Sequence, residues 1–207
     1  MIIRSAIFLI LSFSIYSVAA VLFLDDFSSP EPAKKGWEDY SNNATPGTFE
    51  FDQHMLHFPQ NMTKSAWLMV GDEKWTGVRI TMKLRARFPE GYGLMIIAGR
   101  GDMDKAKLDA TYAGWVLSGE GGFKSMLVSV RTGQLTTLDS LTLNGQNFVL
   151  DVWHDIVVEV EVDKIKVLVD GTELQSGSGV LLPSGKLVIA NGFGSEVWIK
   201  NLKVESF

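Results

Sequence analysis

Three carboxylates at alternate positions have the spacing best suited to chemistry. Glu159, Glu161 and Asp163 lie in a stretch that alternates apolar and polar residues, so a strand would project them from one face with Cα atoms roughly 6–7 Å apart. Hydrolysis of a glycosidic bond with retention requires two carboxyl groups roughly 5–5.5 Å apart, one ionised and one protonated. The three residues are therefore candidates for a catalytic pair. A solvated strand face, with Asp163 at a hairpin turn, is the interpretation that we favour.

A second acidic group follows Gly101 and predicts a cation site. Residues 99–110 are expected to form a charged loop or a single helical turn that carries Asp102, Asp104 and Asp109. Calcium takes six or more oxygen ligands, of which Asp102 and Asp104 would supply two. No complete calcium-loop pattern accompanies them, so a hydrophilic surface loop without a metal is the alternative.

A row of basic residues alternates with the apolar residues of the stretch 78–88. Arg79, Lys83, Arg85 and Arg87 would all project from one face of a strand. If that face lined a concave sheet, Arg85 and Arg87 would suit an acidic glycan. The alternative, which we favour, is charge pairing across strands with an acidic neighbour such as the strand of Glu159.

Aromatic side chains supply a second type of binding surface. Tyr112 and Trp115, close in sequence to Arg100 and the acidic loop, are the candidates for an exposed stacking platform. Trp153 and Trp198 lie within strands that match the family pattern given below, and that resemblance implies that they belong to the core. The sequence thus predicts a ligand-binding set of Arg85, Arg87, Arg100, Tyr112 and Trp115.

The N-terminus predicts export from the cell. Met1 to Arg4 carries one positive charge, Ala6 to Tyr16 is almost wholly apolar, and Ser17 to Ala20 offers small residues for a peptidase. This pattern indicates a signal peptide over residues 1–20, cleaved after Ala20 or one residue earlier, and a secreted product without membrane contact. An uncleaved membrane anchor is the alternative, because residues 21–24 lengthen the apolar run. Sequons at Asn43 and Asn61 would accept N-glycans in a eukaryotic cell.

Composition excludes several other functions. Loss of Arg4 with the signal leaves 18 of the 19 basic residues against 24 acidic ones, a net charge of −6, which disfavours nucleic acid as a partner. The chain has no cysteine, so neither a thiol nucleophile nor a disulfide is available. It also lacks the G-x-S-x-G pattern of serine hydrolases and a glycine-rich phosphate loop. No cofactor is expected apart from the calcium considered above.

Period-two alternation predicts an all-β fold. The stretch 78–88 alternates throughout, and the stretch 153–171 contains two alternating runs separated by Asp163-Lys164 and closed by Asp170-Gly171, which favours a tight turn. No amphipathic helix of ordinary length is present. A dozen or so short strands at regular spacing predict a two-sheet antiparallel β-sandwich, formed by one domain over residues 21–207.

The order of these segments resembles a known superfamily. An opening strand ends in Asp25-Asp26-Phe27 and precedes Trp37. The centre matches W-H-x-x-x-V-x-V-x-x-x-x-I-x-V-x-V-D-G over residues 153–171, and the close matches G-x-L-x-I and V-x-I-x-N-L-x-V within residues 185–204. Together they resemble the concanavalin A-like lectin/glucanase jelly roll, especially laminin G-like domains and the domains named for 3-keto-disaccharide hydrolysis.

The resemblance implies the jelly-roll fold and leaves several activities open. Laminin G-like relatives make calcium plausible. Family 16 glycosidases carry E-x-D-x-E on a strand, whereas residues 159–163 read E-x-E-x-D, with the last two acids exchanged. We expect a secreted, non-catalytic binding module with carbohydrate as ligand. The alternatives are a glycoside hydrolase-like enzyme acting through the strand carboxylates and an extracellular protein-interaction or adhesion module.

Overall fold

The fold is described from a computed structural model that covers most of the chain. It describes residues 19–29, 31, 35–40, 49–60, 65–89, 91–104, 107–118, 122–144, 147–192 and 194–206, without the side chains of residues 52, 103, 104, 107 and 108. Residues 1–18 of the predicted signal peptide and both sequon residues, Asn43 and Asn61, lie outside this part. Over the described residues, no helix has the length and apolar character needed to cross a membrane.

The described residues form fifteen β-strands. In chain order they are β1 (Val21–Asp25), β2 (Glu38–Asp39), β3 (Glu50–Asp52), β4 (Met55–Phe58), β5 (Ala66–Val70), β6 (Val78–Arg87), β7 (Gly93–Asp104), β8 (Lys107–Ser118), β9 (Gly122–Arg131), β10 (Gln134–Thr142), β11 (His154–Val160), β12 (Lys164–Val169), β13 (Thr172–Ser178), β14 (Lys186–Asn191) and β15 (Glu196–Ser206).

Two antiparallel sheets contain these strands, as the sequence predicts. Sheet A has the order β13-β12-β11-β6-β15-β4-β3, and β1 also pairs with β15; sheet B has the order β10-β9-β8-β7-β14-β5-β2. The inward face of each sheet is apolar because alternate residues of each strand point to the same side. In β6, for example, Val78, Ile80 and Leu84 are fully buried. The result is a β-sandwich with its main core between the sheets.

The hairpin of β11 and β12 follows the predicted alternation with one difference. Val158 pairs with Val167 in β12 and with Ile80 in β6, and both valines are buried. Asp170 and Gly171 both have positive φ angles, 50° and 79°, as a primed hairpin turn requires. Val162 is the next residue of the alternating apolar set, but β11 ends at Val160, and Val162 is 84% exposed at the turn.

The segment predicted as a charged loop is a long hairpin instead. Residues 99–104 belong to β7 and residues 107–110 to β8, and the two strands pair as far as Asp104 and Lys107. A bulge at Gly99 interrupts the register, because Ala98 pairs with Tyr112 while Arg100 pairs with the next residue, Thr111. One inserted residue reverses which face the following side chains occupy. The bulge therefore turns Arg100 into the sandwich.

A second bulge lies in the last strand. β15 pairs with β4 through residues 197–199 and with β1 through residues 202–205, along the same edge. Opposite β6, Lys200 pairs with Lys83 and Lys203 with Thr81, so two residues of β15 face one of β6. Asn201 takes a φ of 55°, a left-handed conformation that asparagine tolerates better than most residues.

Candidate functional site

The outer face of sheet B is apolar, which is unusual for the solvent side of an antiparallel sandwich. We define this apolar face by six buried residues and the four partly buried side chains that pack against them. Its buried residues are Met69, Ile96, Ala98, Ala110, Val188 and Ala190, and the four others are Tyr40, Trp67, Leu94 and Tyr112. An apolar outer surface with aromatic side chains is typical of a binding site.

Tyr112 covers the backbone of its own strand on this face. A Cβ added at Gly114 would stand 3.3 Å from Cε2 and 3.6 Å from Cδ2 of Tyr112, so the ring lies over the glycine. Gly114 pairs with Ile96 in β7 and Met126 in β9, which places the ring among apolar neighbours. Burial raises the pKa of the Tyr112 phenol, so the hydroxyl remains a hydrogen-bond donor at neutral pH. The Tyr112 ring is half-buried, and it packs against the backbone of Gly114.

A polar corner adjoins the apolar face at β2 and β14. Lys186 Nζ donates to Oε1 of Glu38 at 2.8 Å, and the Tyr40 hydroxyl donates to Oε2 at 2.8 Å. The hydrogen bond from Lys186 is the main reason that the pKa of Glu38 lies below its ordinary value. The backbone N–H of Tyr40 donates to the Trp67 carbonyl oxygen at 2.9 Å and links this corner to the aromatic rim.

The apolar face and its polar corner together suit a ligand with both apolar and hydroxylated surfaces. Trp67 and Tyr112 lie on β5 and β8, which β14 and β7 separate, so three strand spacings give roughly 14 Å between their backbones. Ala98 and Ala190, on the strands between them, are 0% and 2% exposed, so a ligand that spans this width would contact the partly buried aromatic side chains instead of these alanines. Glu38 offers ionised oxygens at one end.

The predicted basic row lies on the outer face of sheet A and is charge-paired. Arg79 bonds Glu159, Lys83 bonds Asp155 at 2.7 Å, Arg85 Nε lies 3.2 Å from Asp151, and Arg87 bonds Glu196. Each of the four cations therefore has a carboxylate partner. The favoured interpretation, charge pairing across strands, is confirmed, and Arg85 and Arg87 do not form a free cationic surface for an acidic glycan.

The three candidate catalytic carboxylates do not form a catalytic pair. Glu159 is 6% exposed, and its two oxygens contact Arg79 and Lys166 at 2.6 and 2.5 Å. Burial alone would raise the pKa of Glu159, but hydrogen bonds from these two cations lower it, so this carboxylate is ionised. Glu161 and Asp163 lie beyond the end of β11 and are exposed. The favoured interpretation of a solvated strand face is correct for the exposure of Glu161 and Asp163 and wrong for Glu159, which is buried between Arg79 and Lys166.

Trp198 and Trp153 are not in the core, contrary to expectation. Both are partly exposed on the side of sheet A. Trp198 stacks between two neighbours, with the His57 ring parallel to it at 5.0 Å and the Arg85 guanidinium 4.0 Å from its centroid. Lys200 Nζ lies 4.2 Å from the Trp153 ring. Both faces of the Trp198 indole are therefore covered by its own cross-strand neighbours.

Two residues of the predicted ligand-binding set are inside the protein. Trp115 is fully buried, because it lies three residues from Tyr112 and so points to the opposite face of β8. Arg100 is 1% exposed and donates hydrogen bonds to the backbone carbonyl oxygens of Leu182, Val160 and Glu161. Burial lowers the pKa of Arg100. The prediction that Arg100 and Trp115 form part of an exposed platform is therefore wrong.

The predicted calcium ligands lie in the β7–β8 hairpin. Asp102 is exposed and pairs with Asp109, whereas the Asp104 side chain lies outside the described part. The Asp109 carboxylate already accepts hydrogen bonds from the backbone N–H groups of Thr132 and Gly133. No group of three or more metal-binding side chains converges within the described residues. The oxygens described here do not make up the six-ligand set that calcium requires.

Only Tyr112 of the predicted ligand-binding residues lies on the apolar face. Sequence reasoning missed Glu38, Tyr40, Trp67 and Lys186. A signal was present, because the segments 66–70, 94–98 and 187–190 are continuous apolar runs rather than alternating ones. Such runs indicate strands that are apolar on both faces. The apolar character of the outer surface of sheet B could therefore have been predicted from the sequence.

Comparison with solved structures identifies the architecture. Carbohydrate-binding module CBM66 from Bacillus subtilis has a TM-score of 0.60 at 11% identity, covering 83% of this chain and 96% of that chain. The carbohydrate recognition domain of Emp47p has a TM-score of 0.62 at 14% identity, with 90% and 94% covered. The endo-β-1,3-glucanase from Pyrococcus furiosus has a TM-score of 0.61 at 13% identity, with 91% and 95% covered.

These likenesses show the jelly-roll β-sandwich fold that the sequence resemblance implies. At such low identity they establish the architecture alone, since this fold carries several activities. No protein-family model and no curated protein sequence matches the chain significantly.

Proposed function

We propose that this protein is a secreted carbohydrate-binding module that binds glycans on the apolar face of sheet B. The observation that carries the proposal is the Tyr112 ring, which lies over Gly114 and is half-buried beside small apolar residues. A sugar ring has apolar C–H surfaces that pack on an aromatic face and hydroxyl groups that require hydrogen-bond partners. The face supplies the first contact through Tyr112 and the second through Glu38 at the polar corner.

The comparisons support this choice of ligand. Two of the solved structures with this fold are described as a carbohydrate-binding module and a carbohydrate recognition domain. In each, the shared architecture extends over more than nine-tenths of that chain. A protein-interaction module remains the competing hypothesis, because an apolar face also suits a protein partner.

The state of the candidate carboxylates supports the non-catalytic part of this proposal. A retaining glycosidase needs one protonated and one ionised carboxyl group beside the substrate. Glu159 is fixed in its ionised form by Arg79 and Lys166, and Glu161 is an exposed residue beyond the strand. Secretion is proposed from the N-terminal sequence pattern.

A glycan-array screen of the purified protein, run with calcium and with a chelator, tests the proposal. We expect binding to at least one class of glycan, and the comparison of the two conditions shows whether that binding depends on calcium. No binding under either condition would contradict carbohydrate recognition. Hydrolysis of a bound β-glucan that is lost in Glu161→Gln would contradict the non-catalytic role.

A further inference from the structure

The outer face of sheet A contains a groove at the bulge of β15. β1 and β4 pair with the same edge of β15 on either side of the bulge, so Lys200 and Asn201 have no partner on that edge among the described strands. Two depressions of about 500 and 300 Å³ open here, and both include Thr81 and Asn201 in their walls. We call the joined depressions the bulge groove. It crosses the strands from β1 over β15 and β6 to β11, which corresponds to roughly 14 Å at ordinary strand spacing.

The centre of the bulge groove has unused neutral hydrogen-bonding groups. Thr81 projects a hydroxyl and Asn201 an amide into it, and within the described part of the chain neither side chain forms a hydrogen bond. Asn201 is exposed because its left-handed backbone lifts it out of the strand, whereas Leu202 beside it is fully buried. An amide and a hydroxyl can each donate and accept, which suits a polyhydroxylated ligand.

The charges around the bulge groove favour a neutral ligand. Its walls contain three carboxylates and three ammonium groups, from Asp25, Asp26, Asp155, Lys35, Lys83 and Lys203. Most are already engaged: Lys83 bonds Asp155, and Lys203 bonds Glu205 at 2.6 Å. Both Asp25 oxygens accept internal hydrogen bonds, from the Phe27 backbone and the Trp37 indole. An anionic or cationic ligand would have to break pairs that are already formed.

The geometry also disfavours an added peptide strand. Strand addition needs a run of unpaired backbone along a sheet edge, whereas the gap between the β15 residues that pair with β4 and those that pair with β1 is two residues, Lys200 and Asn201. Leu24 is the one large apolar side chain in the described walls that is strongly exposed, at 62%. A small apolar contact that shares the groove with the neutral Thr81 hydroxyl and Asn201 amide suits a saccharide better than a protein surface.

We propose that the bulge groove is a second saccharide site, specific for a neutral sugar and independent of the apolar face on the opposite side of the sandwich. Asn201 and Thr81 provide its central hydrogen bonds, and Leu24 provides an apolar contact. A module with one site on each outer face would bridge two glycan chains. This inference goes beyond the proposed function, which requires only the apolar face.

Amide chemical shifts of the full ¹⁵N-labelled chain test the proposal. The probes are methyl glucoside, methyl galactoside, methyl mannoside, N-acetylglucosamine and sucrose, with glucuronate as the charged comparison. We expect one neutral sugar to shift the Asn201 side-chain amide and the Thr81 backbone amide saturably, with a dissociation constant in the millimolar range. Absence of saturable shifts at both residues for every neutral probe, or a stronger response to glucuronate, would overturn the proposal.

Three variants separate this site from the apolar face. Asn201→Gly keeps the left-handed backbone, because glycine tolerates a φ of 55°, and removes only the amide. It should weaken binding roughly threefold to tenfold, as the loss of one or two hydrogen bonds does. Thr81→Phe should fill the groove and abolish binding. Tyr112→Ala should leave these shifts unchanged.

The outcomes distinguish the two proposals. If Tyr112→Ala removes the shifts at Asn201, they are transmitted from the apolar face, and the bulge groove is not a site. A second outcome is that the Asn201 shifts persist in Tyr112→Ala, while no probe or array ligand shifts the residues around Tyr112 in the wild-type protein. In that case the bulge groove is a binding site, and the proposal that the apolar face binds glycans is wrong. An unchanged affinity in Asn201→Gly together with Thr81→Phe would also refute the groove.

Discussion

Replacement of Arg100 tests how the centre of the sandwich is held together. Its guanidinium donates to the carbonyl oxygens of Leu182 at 2.8 Å, Val160 at 2.9 Å and Glu161, and the side chain is 1% exposed. Loss of a large buried side chain to alanine costs roughly 2–5 kcal/mol of unfolding free energy. The three hydrogen bonds contribute as well, but the cost of burying the charge, several kcal/mol, offsets them.

We therefore expect packing to dominate the effect of Arg100. Arg100→Ala should lower the unfolding free energy by about 2–5 kcal/mol and Tm by roughly 4–20 °C for a domain of this size. Arg100→Met keeps most of the volume and removes the charge, so it should cost less than about 1.5 kcal/mol. Of the three carbonyl groups, those of Glu161 and Leu182 belong to residues that are not buried and can bond water instead.

Urea unfolding, followed by circular dichroism and tryptophan fluorescence, measures the unfolding free energy of both variants. Lys124→Met is the control, because it removes a positive charge at a half-buried position of sheet B. If Arg100→Met destabilises as much as Arg100→Ala, the hydrogen bonds outweigh packing and the reasoning is wrong. If Arg100→Ala changes the unfolding free energy by less than about 0.5 kcal/mol, as an exposed residue would, the buried position itself is wrong.

Three further predictions concern the strands around the two proposed sites. The pKa of Glu159 is lowered in the folded protein, so its ion pairs stabilise the fold at pH values above the ordinary carboxyl pKa. This stabilisation is lost as the pH falls through the pKa of the folded state. The decrease in Tm on acidification should therefore be smaller in Glu159→Gln than in the wild-type protein. Asn201→Val should destabilise by about 1–3 kcal/mol in urea, because a β-branched residue resists a φ of 55°, whereas Asn201→Gly should not. Gly114→Ala places a Cβ 3.3 Å from the Tyr112 ring and should weaken glycan binding less than Tyr112→Ala, measured by calorimetry.

The architecture was predictable from the sequence because it depends on local alternation. The β6 pattern places Val78, Ile80 and Leu84 inside and Arg79 outside, and the structure agrees. Asp170-Gly171 specifies its turn through backbone preferences of two residues. Such features need no knowledge of distant partners, and they sufficed to predict a two-sheet antiparallel sandwich.

The site was less predictable because it depends on register. Arg100 lies inside only because a bulge at Gly99 shifts the pairing by one residue, and the bulge forms where the Gly99 backbone approaches Val160. Trp115 could have been placed correctly, since it is an odd number of residues from Tyr112 on one strand. Glu38 and Lys186 meet across 148 positions of sequence, which no local pattern indicates.

The sequence predicted that the basic residues of β6 form ion pairs across strands, but it did not predict which acidic residue each of them contacts. The basic row of β6 was expected to face acidic residues, and Arg79 does pair with Glu159. Arg87 instead bonds Glu196 in β15, and Arg85 approaches Asp151 in the segment before β11. Strand order decides these partners, because β6 lies between β11 and β15 in sheet A.

Calorimetric titration of the strongest array ligand into wild-type protein, Tyr112→Ala and Trp153→Ala is the most direct test of the binding surface. Trp153 serves as the control because it is a partly exposed aromatic residue on the opposite sheet. With unfolding curves showing that both variants are folded, Tyr112→Ala should weaken binding at least tenfold, about 1.4 kcal/mol, while Trp153→Ala matches wild type. Unchanged affinity in Tyr112→Ala would contradict the assignment of carbohydrate binding to the apolar face.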